Sequence, residues 1–150
     1  MEPILYIIIP CYNEEDVLPI TSKIFIKKLI SLIKNKTISE NSRIVFIDDG
    51  SKDSTYTIIE NLSKENEYIE GISLSRNRGH QNALLCGLLE TKNLCDISVS
   101  MDCDGQDDIN AIDEMIKEYK NGAEIVYGVR KNRDKDTFFK KIQHLPIIRY

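Results

Sequence analysis

"RIVFIDDGSKDST", residues 43–55, decides how this chain folds. Arg43 to Ile47 is an apolar, β-branched run, and its length suits a buried strand. It ends on two acids, Asp48 and Asp49. Gly50 and Ser51 supply turn chemistry. Asp53 or Ser54 can cap a helix whose apolar positions are Tyr56, Ile59 and Leu62. The stretch is therefore a strand, a tight turn and a helix, with charge concentrated at the strand's carboxyl end.

Working outward, the same order recurs. Ile4 to Ile9 is a strand closed by Pro10. Asn13, Glu14 and Glu15 open a helical stretch to about Ile33, with Pro19 tolerable in its first turn. Lys34 to Ser42 is a polar connection. Ile69 to Leu74 is a third strand, followed by a polar loop from Arg76 to His80 and a helix from about Gln81 to Glu90. Ile97 to Met101 is a fourth strand. A helix from about Ile109 to Tyr119 carries Ile109, Ile112, Met115, Ile116 and Tyr119 on one face, and Gly122 can stop it. Ile125 to Val129 is a fifth strand, and a basic, amphipathic segment runs to the end. Alternating strands and helices predict an α/β fold with three α/β/α layers, Rossmann-like, around a mainly parallel sheet.

In such sheets ligands bind outside the carboxyl ends of the strands. Here those ends carry Pro10 to Glu14, Asp48 to Ser51, Ser75 to Asn77, Asp102 to Asp104, and Gly128 to Arg130. Polar groups distant in the chain are thus expected to converge on one site. The densest is "SMDCDGQDD", residues 100–108, with four aspartates in nine positions. One reading is a solvated acidic turn, in which Asp107 or Asp108 caps the next helix. The other is a cation site. Asp102 and Asp104, two apart, can aim their carboxylates at one point, and Gln106 can add a neutral oxygen. Such a set suits a hard ion, Mg²⁺ or Mn²⁺, that completes its shell with water and phosphate oxygens. Asp48 and Asp49 admit a turn reading, or a phosphoacceptor reading that would want a lysine on a late strand. Lys131 lies past the fifth strand and serves that poorly.

Composition narrows the class. The chain has 150 residues, 41% hydrophobic and 29% charged, the profile of an ordinary globular domain. Its net charge of −4 excludes a general polyanion binder, and no nucleic-acid partner is expected. From Val126 to Tyr150, however, seven basic residues (Arg130, Lys131, Arg133, Lys135, Lys140, Lys141, Arg149) face two acids, Asp134 and Asp136, a local +5. This is either a solvated face or a surface for phosphate or an anionic membrane. Cys11, Cys86, Cys95 and Cys103 show no CxxC spacing, and no signal peptide is read at the N-terminus, so a reducing compartment is expected. No run approaches 18 apolar residues.

Taken together, "IIPCYNEE" (8–15), "VFIDDGSKDST" (45–55), "LSRNRGHQNALLCGL" (74–88), "SMDCDGQDD" (100–108) and "VYGVRKNRDKDTFFKK" (126–141) resemble the family 2 glycosyltransferases of GT-A fold. They are most similar to the polyprenyl-phosphate branch, which includes the dolichol-phosphate mannose synthases. Five blocks in order over nearly the whole chain are more specific than any one of them. The resemblance implies one catalytic domain over 1–150, incomplete at its C-terminus. It implies an inverting transfer of a sugar from a nucleotide-diphosphate donor to a polyprenyl phosphate in cell-envelope glycan synthesis, with a UDP-sugar favoured over GDP-mannose. Pro10, Tyr12 and Glu14 would line the nucleotide pocket, with Asp49 accepting from the base and Asp48 beside it. Asp102, Asp104 and Gln106 would hold the metal. Asp104 and Arg130 are the catalytic candidates, Arg130 meeting the acceptor phosphate, with Lys140 and Lys141 behind it. The protein would work in the cytoplasm, at the inner membrane face, touching the membrane through its basic C-terminal segment. The alternatives are a transferase using a sugar hydroxyl, which would need a catalytic base, and a non-catalytic nucleotide-sugar-binding remnant. Arg76 and His80 fall in a family block without an assigned role.

Overall fold

The computed structural model describes residues 1–130 and 137–141, the side chains of 129, 130 and 137–141 excepted. The chain divides into two compact units, Met1–Asp107 and Asp108–Tyr150. The first contains β1 (Leu5–Cys11), α1 (Leu18–Lys34), β2 (Arg43–Asp48), α2 (Thr55–Glu65), β3 (Ile69–Ser73), α3 (His80–Thr91) and β4 (Ile97–Ser100). Its four strands pair in the order β3-β2-β1-β4, all parallel. In register, Ile7 of β1 lies between Ile44 of β2 and Val99 of β4.

Every residue of β1 is buried, which is why it reads as a continuous apolar run rather than an alternation. Its side chains still divide by face. Tyr6 and Ile8, with Val45 and Ile47 of β2, pack with Ala83 of α3. On the other face, Phe25 of α1 meets Phe46 edge-on at 6.4 Å between ring centroids, and Ile59 of α2 lies against Gly71 of β3. Helices therefore cover both faces, the three-layer arrangement expected from the strand–helix alternation. The β1–β2 register is tied by Ser42, a fully buried side chain whose hydroxyl accepts from the Leu5 amide at 2.9 Å and donates to the Ser39 carbonyl at 2.7 Å.

Helix α3 approaches the sheet through Gly87. A Cβ there would stand 2.5 Å from Ile8 Cγ2 and 2.7 Å from Ile47 Cδ1. Helix propensity alone predicts that Gly87→Ala stabilises by about 1 kcal/mol. Overpacking costs about 1–3 kcal/mol and should win, because both neighbours are β-branched and fully buried. Thermal melting of Gly87→Ala is expected to fall by several degrees; a rise would show that the helix does not rest on the sheet at this point.

Three sequence expectations change. The first helix begins at Leu18, not at Asn13, because the amides of residues 13–15 are bound by side chains of the β2–α2 loop. The fifth strand, β5 (Val126–Arg130), does not join the parallel sheet. It pairs antiparallel with β6 (Thr137–Lys141), Arg130 opposite Thr137 and Tyr127 opposite Lys140. The "TFFKK" part of the basic tail is thus a strand, and its aromatic pair suits a strand. The second unit also holds α4 (Ala111–Lys120), with Asp113 and Glu114 in its first turn and Lys117 and Lys120 in its last, as the helix dipole favours.

Candidate functional site

The carboxyl ends of β1, β2 and β4 and the loop before α3 open onto one cleft of about 460 Å³. Pro10, Tyr12, Glu14, Asp49, Asp102 and Asp104 all line it. Sequence reasoning chose these six, and the fold brings them together from three separate stretches. Asp48 and Gln106 are not among the residues that line it. Asp48 is buried below the surface, where its carboxylate accepts from the Ser51 amide and from the Ser73 hydroxyl at 3.1 Å. Gln106 is exposed, and its amide donates to Asp104 Oδ1 at 2.9 Å. Arg130 is the last residue of β5, in the second unit. Its side chain and those of Lys140 and Lys141 lie outside the described residues, as do Lys131, Arg133, Asp134, Lys135, Asp136 and Arg149 entirely.

The acids of residues 102–108 divide between two jobs. Asp107 Oδ2 accepts from the Asp102 amide at 3.3 Å, which closes the loop on itself. Asp108 Oδ1 accepts from the Asn110 amide at 2.9 Å and makes the turn into α4; this is a local Asx turn just before the helix. Gly105 takes φ +71°, a left-handed conformation that lets the chain double back between Asp104 and Gln106. What remains directed at the cleft are the exposed carboxylates of Asp102 and Asp104. Asp102 Oδ1 lies 3.8 Å from His80 Nε2, the first residue of α3. Burial, then the charges of Asp104 and Asp53, push the Glu14 carboxyl above its ordinary range. A cleft that raises a carboxyl in this way would be relieved by a cation.

Among the described residues, no three His, Cys, Asp or Glu side chains are arranged to hold a metal by themselves. Asp102 and Asp104 offer two carboxylates on a cleft wide enough for a ligand. That fits an ion of the Mg²⁺ or Mn²⁺ kind, which is commonly held by one or two carboxylates and completed by water and substrate phosphates.

Asp49 is nearly fully buried and does structural work. Its Oδ1 accepts from the Arg78 amide at 2.7 Å and its Oδ2 from the Gly79 amide at 2.8 Å, pinning the loop that starts α3. Five further residues line the cleft: Cys11, Asn77 and Cys103, which the sequence places at the converging strand ends without a role, His80, also without an assigned role, and Gly79, which sequence reasoning did not single out. Cys11 ends β1 and Cys103 lies beyond β4; interaction with the Cys103 thiol, then burial, drives the Cys11 thiol far above its usual value. Both are buried side chains of the cleft lining. The signal for them was position alone, since each sits between residues already chosen.

The fold and cleft define an α/β domain with an acidic, ligand-sized site at the carboxyl edge of a parallel sheet. The sequence profile of glycosyl transferase family 2 matches residues 6–150, and the chain belongs to that family. It is 46% identical over 148 residues to the uncharacterized glycosyltransferase YkoT of Bacillus subtilis (strain 168), covering 99% of this chain and 44% of that protein. It is 34% identical over 135 residues to the bactoprenol glucosyl transferase of Shigella phage SfX, covering 90% of this chain and 42% of that protein. The chain thus spans less than half the length of these relatives. In fold it is similar to the mannosyltransferase PcManGT from Pyrobaculum calidifontis, solved in complex with GDP-Man and Mn²⁺. The TM-score is 0.65 at 19% identity, over 89% of this chain and 37% of that one.

Proposed function

We propose that this chain is the donor-binding part of a glycosyltransferase that moves a sugar from a nucleotide-diphosphate donor to a polyprenyl phosphate, with inversion. The observation that carries the reading is the convergence of Pro10, Tyr12, Glu14, Asp49, Asp102 and Asp104 on one cleft at the strand ends. Tyr12, 39% exposed, offers a ring face to a base, and Pro10 an apolar wall. Asp102 and Asp104 would hold a divalent ion, which when bound supplies positive charge to the diphosphate as it leaves. Asp49 keeps the Arg78–Gly79 loop in place and retains lone pairs for a base N–H. A UDP-sugar is favoured over GDP-mannose.

The acceptor half rests on Arg130. A phosphate acceptor is already an anionic nucleophile near neutral pH, so it needs positioning more than deprotonation. The bactoprenol glucosyl transferase among the relatives supports a lipid-phosphate acceptor. Such an acceptor would place the working protein at the cytoplasmic face of the membrane, touching it through the basic residues after Val129. No helix among the described residues is long and apolar enough to cross a membrane.

Calorimetric titration of UDP, then GDP, with and without Mn²⁺ tests the donor half. Mn²⁺-dependent binding of one nucleotide is expected, and no binding of either would overturn the reading. In the transfer reaction, Arg130→Ala is expected to weaken use of the polyprenyl phosphate by roughly 100-fold while leaving nucleotide affinity intact. Equal loss of both would remove Arg130 from the acceptor side.

A further inference from the structure

The loops after β1 and β2 are joined by a reciprocal set of hydrogen bonds, three of which hold the chain out of helix before Leu18. The β1–β2 ladder ends with the Asp49 amide donating to the Cys11 carbonyl at 2.8 Å. Beyond it, backbone no longer pairs with backbone, and side chains take over. The amides of three consecutive residues each donate to a side chain of the other loop: Asn13 to Ser51 Oγ at 2.9 Å, Glu14 to Thr55 Oγ1 at 2.8 Å, and Glu15 to Asp53 Oδ2 at 3.2 Å. Two bonds return. The Lys52 amide donates to Asn13 Oδ1 and the Ser54 amide to Glu15 Oε2, both at 2.9 Å. The Thr55 hydroxyl donates in turn to Asp53 Oδ1 at 2.6 Å. Each loop thus satisfies the other's amides reciprocally, as a capping box does within one helix.

Asn13 is the pivot. It takes φ 55°, a left-handed conformation that Asn tolerates better than most residues. Its two neighbours, Tyr12 and Glu14, both line the cleft, whereas Asn13 does not. Its own groups are spent on the clamp, the amide toward Ser51 and the side-chain carbonyl toward Lys52. Burial works to raise the Asp53 carboxyl, and the hydrogen bonds from Thr55 and Glu15 outweigh it, leaving it below its ordinary value.

We infer that Asn13 is a positioning residue: through its side-chain bond to Lys52 and its left-handed backbone it sets Tyr12 and Glu14 in the cleft. The consequence for nucleotide binding rests on the donor-site reading above. The clamp itself can be read without any ligand.

Three variants separate the contributions. Asn13→Asp keeps the acceptor and tolerates the backbone conformation. Asn13→Gly keeps only the conformation, and Asn13→Ala keeps neither. By amide hydrogen exchange, the Lys52 amide is expected to exchange at least about tenfold faster in the Gly and Ala variants and near the native rate in the Asp variant. The Tyr12 and Glu14 resonances should shift in the Gly and Ala variants and return in the Asp variant. UDP or GDP affinity with Mn²⁺, whichever nucleotide the native chain binds, should fall roughly 10- to 100-fold in Asn13→Ala, less in Asn13→Gly, and about twofold in Asn13→Asp. An unchanged Lys52 exchange rate in Asn13→Ala overturns the clamp. Faster exchange with unmoved Tyr12 and Glu14 resonances, or with unchanged affinity, overturns the positioning role. If the native chain binds neither nucleotide, the donor reading falls. The Lys52 exchange rate and the Tyr12 and Glu14 resonances then decide the clamp by themselves.

Discussion

Replacing Asp104 with Asn should abolish Mn²⁺-dependent nucleotide binding and leave the fold intact. Asp104 is exposed, and its one hydrogen bond to the loop is from the Gln106 amide to Oδ1. Asn keeps that acceptor and removes the charge, so the turn should survive. Even Asp104→Ala loses only an exposed hydrogen bond, about 1 kcal/mol. The melting temperature should therefore move by a few degrees at most. The ligand side is different. A cation shared between carboxylates and a diphosphate contributes several kcal/mol, and every 1.4 kcal/mol is tenfold, so a loss of roughly 100-fold or more is expected. Calorimetry with and without Mn²⁺ reads it directly. An Asn variant that retained native metal-dependent affinity would sink the assignment of Asp104 as a metal ligand. An internal check is available from Glu14. The Asp104 charge helps to hold that carboxyl above its ordinary range, so removing the charge should bring it down.

The largest effect on stability is expected at Gly50. It has φ +67°, a conformation that costs an ordinary L-residue about 1–2 kcal/mol. A Cβ would also run into the backbone of Arg76, and would stand 2.6 Å from the Asn77 nitrogen. Backbone cannot yield as a flexible side chain can. Here it is also held from the far side, because Asp49 binds the amides of Arg78 and Gly79. Strain and collision together should destabilise Gly50→Ala by about 3 kcal/mol or more. For a chain of this size that is a fall in melting temperature of roughly 10 °C. Asn tolerates the positive φ but carries the same Cβ. If contact dominates, Gly50→Asn should be nearly as damaging as Gly50→Ala; a mild Asn variant would assign the cost to the dihedral alone. Either damaging variant should also lose nucleotide affinity, since Asn77 and Gly79 line the cleft.

Much of the fold was legible in the sequence. Strand runs such as Ile4 to Ile9 and Arg43 to Ile47 announce themselves because strands buried on both faces must be apolar throughout. The topology then predicts where the polar ends meet, which is why six of the chosen residues do share a cleft. The strand content of the basic tail was less legible. "TFFKK" carries a short apolar pair that suits strand or helix, and its antiparallel partner β5 is what makes it a strand.

Residue type and order determined the alternation of strand and helix, the family, and the acids available at the strand ends. They did not determine what each acid does. Asp48, Asp49, Asp53, Asp102 and Asp104 are the same residue, and all lie at or beyond the carboxyl end of a strand. Tertiary structure alone divides them: Asp48 faces Ser73, Asp49 holds Arg78 and Gly79, Asp53 takes Glu15, and Asp102 and Asp104 stay open to the cleft. The reason is physical. Periodicity is a local property of a few turns or pleats. A carboxylate's role depends on which amide lies within about 3 Å of it. Those partners are tens of residues away and arrive only when the strands pair in register.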